Sequence, residues 1–193
     1  TFWLESTPLS WQRIATHHYA DPGQLSLWHF GRVLALLQMA QADAYIACLE
    51  SKYNHNFWRP ITAIRAADAD GNPATVADPN WTPFDAITPP VPDYPSAHAA
   101  AATAGARILF EFLASGSGYT YQSSTAATAR TFLTTYYFPD DAPPGEDLWS
   151  NIAREIGLSR IYVGYHFRYA VEAGWQQGRD VGAWVLGNAL QPV

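Results

Sequence analysis

The chain has almost no lysine, cysteine or methionine: one of each in 193 residues, against ten arginines. A single cysteine, Cys48, excludes an intrachain disulfide, and its place among apolar helical residues gives it the role of a small buried filler. Positive charge is also scarce. The net charge is -6 and no polybasic run occurs, which argues against a nucleic-acid partner, since such domains carry a basic face to neutralise phosphates. No uninterrupted apolar run approaches the about 18 residues needed to cross a bilayer, so no transmembrane segment is expected. Strand signals of period two are scarce and no repeat of fixed length is visible. The Asp-rich stretch with Asp68, Asp70 and Asp78 lacks the spacing of a calcium loop and reads as turn-forming carboxylates.

What is present is a core. Nearly half the residues are apolar, eight of them Trp, which excludes disorder and suits one domain over residues 1–193. Helical periodicity runs from Leu25 to about Glu50, and shorter helices are expected near 9–19 and 60–68, the second with Pro60 in its first turn. Residues 69–94 form a long irregular connection. Ser96 then caps an Ala-rich helix that ends at Gly116-Ser-Gly118. Further helices are expected over 124–137 and 146–158, and a long C-terminal helix is expected to carry Ser159 to His166 near its start, with Gly164 on an open face. The small residues Ala170, Ala173, Gly174, Gly178 and Gly182 form a stripe for close helix packing. The fold class is therefore all-α, a helical bundle with long connecting loops.

Three segments stand out chemically. In the first, the solitary Lys52 is followed seven residues later by Arg59-Pro60, with His55 and Asn56 between; a lone lysine in an aromatic-rich basic segment suggests a specific task. In the second, Pro95-Ser96-Ala97-His98 puts the amides of Ala97 and His98 at the positive end of a helix, a ready anion site. The third is Ser159-Arg160-x5-His166. Strong cations, donor-rich turns and an imidazole are what holds a tetrahedral oxyanion such as phosphate or vanadate.

In this order and with these spacings, the segments resemble the three-part signature of the vanadium-dependent haloperoxidase and type 2 phosphatidic acid phosphatase superfamily. Phe57-Trp58-Arg59-Pro60, Pro89-Pro90-Val91-Pro92-Asp93-Tyr94 and His166-Phe167-Arg168-Tyr169 resemble the vanadium chloroperoxidase-like branch in particular. The resemblance covers essentially the whole chain but corresponds to the C-terminal half of such enzymes.

The resemblance implies that Lys52, Arg59 and Arg160 hold vanadate oxygens, with hydrogen bonds from Ser96 and the Ala97 amide. His166 would bond vanadium through a ring nitrogen, and His98 would move protons. The implied activity is oxidation of halide by hydrogen peroxide to hypohalous acid, the vanadium acting as a Lewis acid without changing oxidation state. The alternatives are an acid phosphatase acting on a small phosphoester through a phosphorylated His166, with phosphate in the vanadate site, and a catalytically degenerate anion-binding domain. A secreted or periplasmic location is implied as well. Two departures from the family pattern stand out. Ala97 replaces a common Gly, which is harmless only at negative φ. Ala170, four residues after His166, replaces an Asp that often orients the imidazole, leaving a backbone carbonyl or Glu172 to substitute. Finally, Thr1 has no Met before it, and an apolar surface within residues 1–50 is expected to be covered by an upstream fragment, a second chain or a second copy.

Overall fold

In a computed structural model of the chain, residues 3–19, 25–85, 87–113, 118–121, 129–133 and 147–191 are described. Six α-helices dominate: α1 (Thr7–Tyr19), α2 (Leu27–His55), α3 (Pro60–Arg65), α4 (Ala97–Phe112), α5 (Leu148–Tyr162) and α6 (Arg168–Asn188). A short 3₁₀ turn, Ala67–Ala69, follows α3. The helix starts obey their local chemistry. Ser26 and Ser96 accept from backbone amides at the starts of α2 and α4, Asp147 accepts from two amides at the start of α5, and Pro60 opens α3.

α4 is the hub, packing against α6, α2, α5 and α1. Its sequence explains this, because the alanines from Ala99 to Ala106 let neighbouring backbones come close, and all of those between are buried. Around them Trp11, Ile14, Leu36, Leu37, Ile108, Leu109, Trp149 and Ile152 form the main core. The small-residue stripe of α6 lies against α4 as expected. A Cβ on Gly174 would meet the Ser96 carbonyl at 2.6 Å, and one on Gly178 would meet the Ala100 carbonyl at 2.2 Å.

Two expectations need correction. First, the region expected as a helix over 124–137 contains strand β2 (Arg130–Leu133), paired antiparallel with β1 (Gly118–Tyr121) in the register Gly118 to Leu133; residues 124–128 and 134–137 lie outside the described residues. Thr131 and Phe132 are residues with strand preference, and the pairing partner decides between two short-range patterns. Second, Ser159 to His166 does not sit near the start of the last helix. α5 ends at Tyr162, Gly164 adopts φ +85° and α6 begins only at Arg168. Gly164 is therefore a break in the chain direction, where Trp81 packs so closely that a Cβ would meet its ring at 2.9 Å. Separately, the stretch Leu27–Arg65 contains an 18-residue window long and apolar enough to cross a membrane by length and composition, with 39% of it buried. The polar residues Gln38, Gln41 and Asp43 break any continuous run, but an average over the window tolerates them. A core helix passes the same test, and α2 lines the core through Val33, Leu36, Leu37, Ala40 and Ala44.

The turn reading of the acidic loop holds. Asp70 accepts from the Asn72 amide, Asp78 from the Asn80 amide and Asp68 from the Ala77 amide. Cys48 is buried.

The α4–α6 contact predicts a contrast between two glycines of one helix. Gly178→Ala should destabilise the fold by about 1–3 kcal/mol or more, because its methyl meets backbone. Gly187→Ala, with nothing within 4 Å, should be neutral or stabilise by up to about 1 kcal/mol. Thermal or denaturant unfolding of the two variants checks this.

Candidate functional site

The three chemically distinctive segments converge at one end of the bundle, and the chain's turns explain how. α2 continues past Glu50 to His55, so Lys52 lies in its last turn, and the helix stops at Asn56, which takes the left-handed conformation (φ 47°) that asparagine tolerates. Arg59 then caps α3 in extended conformation, ahead of Pro60. Ser96 starts α4, and Arg160 lies in the last turn of α5. His166 sits in the turn between α5 and α6, its amide directed to the Arg160 carbonyl.

Three cations are buried here: Lys52 at 1% exposure, Arg160 at 2% and Arg59 at 6%. Their hydrogen bonds go chiefly to backbone carbonyls, which supply no opposite charge. Lys52 Nζ donates to Pro92 O (2.6 Å) and Asp93 O (2.9 Å). Arg59 donates through Nε to Val91 O (2.8 Å) and through Nη1 to Tyr165 O (2.9 Å). Arg160 donates to the Trp3 carbonyl and to Ser159 Oγ, and its guanidinium lies over the Tyr165 ring. The one carboxylate within ion-pair distance of Arg59 among the described residues is Asp93, 3.9 Å away.

Burial dominates the electrostatics. It lowers the Lys52 pKa to about 8 and that of Arg160 to about 10, and pushes Arg59 down as well. His166 falls well below the usual imidazole range, first by burial and then by Arg59, Lys52 and Arg160. His98, in the first turn of α4, falls to about 3 for the same reasons, with burial first, then Arg160, His166, Arg59 and Lys52. Both imidazoles are therefore neutral at pH 7. Asp93 is pushed up to about 6 by burial, against the pull of Arg59 and Lys52.

The tautomer of His166 follows from its neighbours. Arg59 Nη1 lies 3.0 Å from His166 Nε2 and 3.5 Å from Nδ1, and a guanidinium can only donate, so Nε2 is the nearer acceptor and Nδ1 is the atom left to carry the proton. Nδ1 in turn lies 2.7 Å from Asp93 Oδ1. The lone pair on Nε2 thus faces the cation cluster.

Each residue singled out from sequence is accounted for. Lys52, Arg59, Arg160, His98 and His166 act on one another electrostatically. Ser96 is fully buried, its Oγ accepting weakly from the Ala99 amide (3.5 Å) and its own amide donating to Ala170 O (2.7 Å). Ala97 opens α4, and positive φ among described non-glycine residues occurs only at Asn56 and Leu190, so its methyl is unstrained. Glu172 is exposed and does not replace the missing acid at Ala170. His55 and Asn56 are exposed, with His55 against the Tyr94 ring. Three neighbours went unrecognised in the sequence. Asp93 was seen only as part of the lead into Ser96, while Asp85, which accepts from the Tyr165 hydroxyl at 2.7 Å, and Trp3, which accepts from Arg160, carry no motif at all.

Three buried cations and an imidazole thus lie together at one end of a helical bundle. The VCPO second helical-bundle domain matches residues 32–193, and the chain belongs to that family. It is 37% identical to a vanadium chloroperoxidase of Curvularia inaequalis over 79 aligned positions, which take in 36% of this chain and 12% of the relative. Among solved structures it is similar to the first bacterial vanadium-dependent iodoperoxidase, with a TM-score of 0.73 and 27% identity over 94% of this chain and 39% of that one. A holo-type bacterial vanadium-dependent chloroperoxidase shares the fold, with a TM-score of 0.68 and 16% identity over 93% of this chain and 40% of that one. The chain thus spans about two fifths of the length of these solved relatives.

The depressed histidines predict a sign for the pH dependence of stability. A folded-state pKa below the unfolded value means that the unfolded chain takes up the proton first, so stability is lost as pH falls below 6.5. Asp93 acts oppositely between 3.8 and about 6, so the effect is best isolated by comparison with His98→Gln. The stability of the wild type relative to this variant should drop by up to about 1.4 kcal/mol per pH unit between 6.5 and about 3. Urea unfolding at stepped pH in anion-free buffer reads it out.

Proposed function

We propose that the chain is the oxyanion-binding part of a vanadate-dependent haloperoxidase, which oxidises halide with hydrogen peroxide to hypohalous acid. The observation that carries this reading is the charge imbalance of the site: three buried cations and, among the described residues, one buried carboxylate, Asp93, within ion-pair distance of them. Such a cluster is costly unless an anion joins it. The donor set suits vanadate: fixed N–H groups for its oxygens, and an imidazole lone pair directed into the cluster for the metal. Family membership supports the same assignment.

In this reading Lys52, Arg59 and Arg160 hold and neutralise the oxyanion, with Ser96 and the Ala97 amide adding donors at the start of α4. His166 Nε2 would hold the vanadium, and Arg59 Nη1, now beside that atom, would donate to an oxygen of the anion instead. Arg160 likewise exchanges the Trp3 carbonyl for a charged partner. His98, neutral and beside the cluster, would be the residue that accepts and returns a proton there, and a bound anion would offset the cations that, after burial, depress its basicity. Bound vanadate supplies the Lewis acidity that makes a peroxide oxygen electrophilic toward halide.

Phosphate has nearly the same shape as vanadate and fits the same donors, so an acid phosphatase using His166 as nucleophile is the second reading. The exposed apolar residues of α2, Leu27, Trp28, Ile46 and Leu49, form the face we assign to a preceding helical region of the same polypeptide, consistent with the two-fifths coverage of the solved relatives.

The test combines assays and substitutions. The protein should bind vanadate saturably and oxidise halide when peroxide is present; hydrolysis of an aryl phosphate with no halide oxidation would replace this reading with the phosphatase. Arg160→Ala should weaken vanadate binding by about 10- to 150-fold, the loss of a charge-assisted contact of about 1.5–3 kcal/mol. Arg168→Ala, whose side chain is exposed beyond His166, should change it by less than about threefold. Equal losses would contradict the assignment of Arg160.

A further inference from the structure

We infer that Asp93 is the positioning residue for His166, taking over the task that an acid at position 170 cannot perform here. This rests on the vanadate reading, in which His166 must offer Nε2. The backbone of Asp93 is fixed twice: its amide donates to Phe57 O at 2.8 Å and its carbonyl accepts from Lys52 Nζ at 2.9 Å. The side chain, fully buried, is thereby held with Oδ1 2.7 Å from His166 Nδ1. Position 170 offers only a methyl group, and the Ala170 carbonyl is taken by the Ser96 amide.

The Phe167 amide and the charges of Arg59 and Lys52 act on the buried Asp93 carboxylate, and its contact to Arg59 is long, at 3.9 Å. Its short contact, 2.7 Å from Oδ1, is to the one ring atom that decides the tautomer of His166. With the proton held at Nδ1 facing Asp93, the Nε2 lone pair stays directed at the cations, the arrangement a metal-bonding imidazole needs from its outer partner. Sequence distance hides the pairing, because the acid precedes α4 whereas the histidine precedes α6.

The carboxylate has opposite effects on two anions, and the test uses that. An anion held by charge alone gains when a neighbouring negative group is removed, whereas one bonded to Nε2 loses the oriented lone pair. In Asp93→Ala, made in the intact protein, the ratio of vanadate affinity to phosphate affinity should fall at least tenfold. Side-chain ¹⁵N NMR of the anion-free protein should show His166 protonated at Nδ1 in the wild type and a shift toward the other tautomer in the variant. If Asp93→Ala does not fold, Asp93→Asn keeps the shape and should move both readouts in the same direction by less. An unchanged tautomer with an unchanged ratio, or equal losses for both anions, would overturn the inference. The NMR result needs no vanadate, so a wild type that binds phosphate but not vanadate would sink the functional reading while still deciding the role of Asp93.

Discussion

Three cations are buried at one end of this bundle and, among the described residues, one buried carboxylate, Asp93, lies within ion-pair distance of them; the rest of the site is arranged around that imbalance. Isolated charges in a protein interior usually neutralise or find partners. Here Lys52 and Arg59 are satisfied mainly by carbonyls of Val91, Pro92, Asp93 and Tyr165, and Arg160 by Trp3 and Ser159. Carbonyls meet the hydrogen-bonding needs of these groups but leave their charge in place, which is why burial depresses all three pKa values. Burial, and after it the charge of the same cations, keeps His98 and His166 neutral.

The scaffold makes this affordable. α4 is so rich in alanine, and α6 so rich in glycine where they touch, that the backbones approach closely and bring the starts of both helices to the cation cluster. The loop from Pro89 to Tyr94, which leads into α4, supplies most of the carbonyl acceptors of Lys52 and Arg59. Its proline content suits the task, since residues without an N–H present acceptors without adding donors.

How much of this was legible in the sequence depended on the kind of constraint. Long helices announced themselves through period and caps: Ser96 and Pro60 begin helices as their chemistry requires. The site was legible where chemistry demands residue types at fixed spacing, as with Lys52 and Arg59 or Arg160 and His166. Its connectivity was less so. Gly164 was read as part of a helix face, whereas its positive φ ends the run, because a lone glycine carries no sign of which conformation its neighbours impose. The β1–β2 pairing was missed because two short strands are specified by each other rather than by local pattern. Asp93 and Trp3 escaped for a related reason: their partners lie far away in sequence, and only the packing of α5 and α6 brings them together.

The most direct test of the central claim is an anomalous difference map at the vanadium absorption edge from crystals of the protein loaded with vanadate. The account predicts a single strong peak beside His166 Nε2, with Lys52, Arg59 and Arg160 turned toward it and Arg160 released from the Trp3 carbonyl. A peak elsewhere, or none at an occupancy that solution titration shows to be saturating, would contradict it.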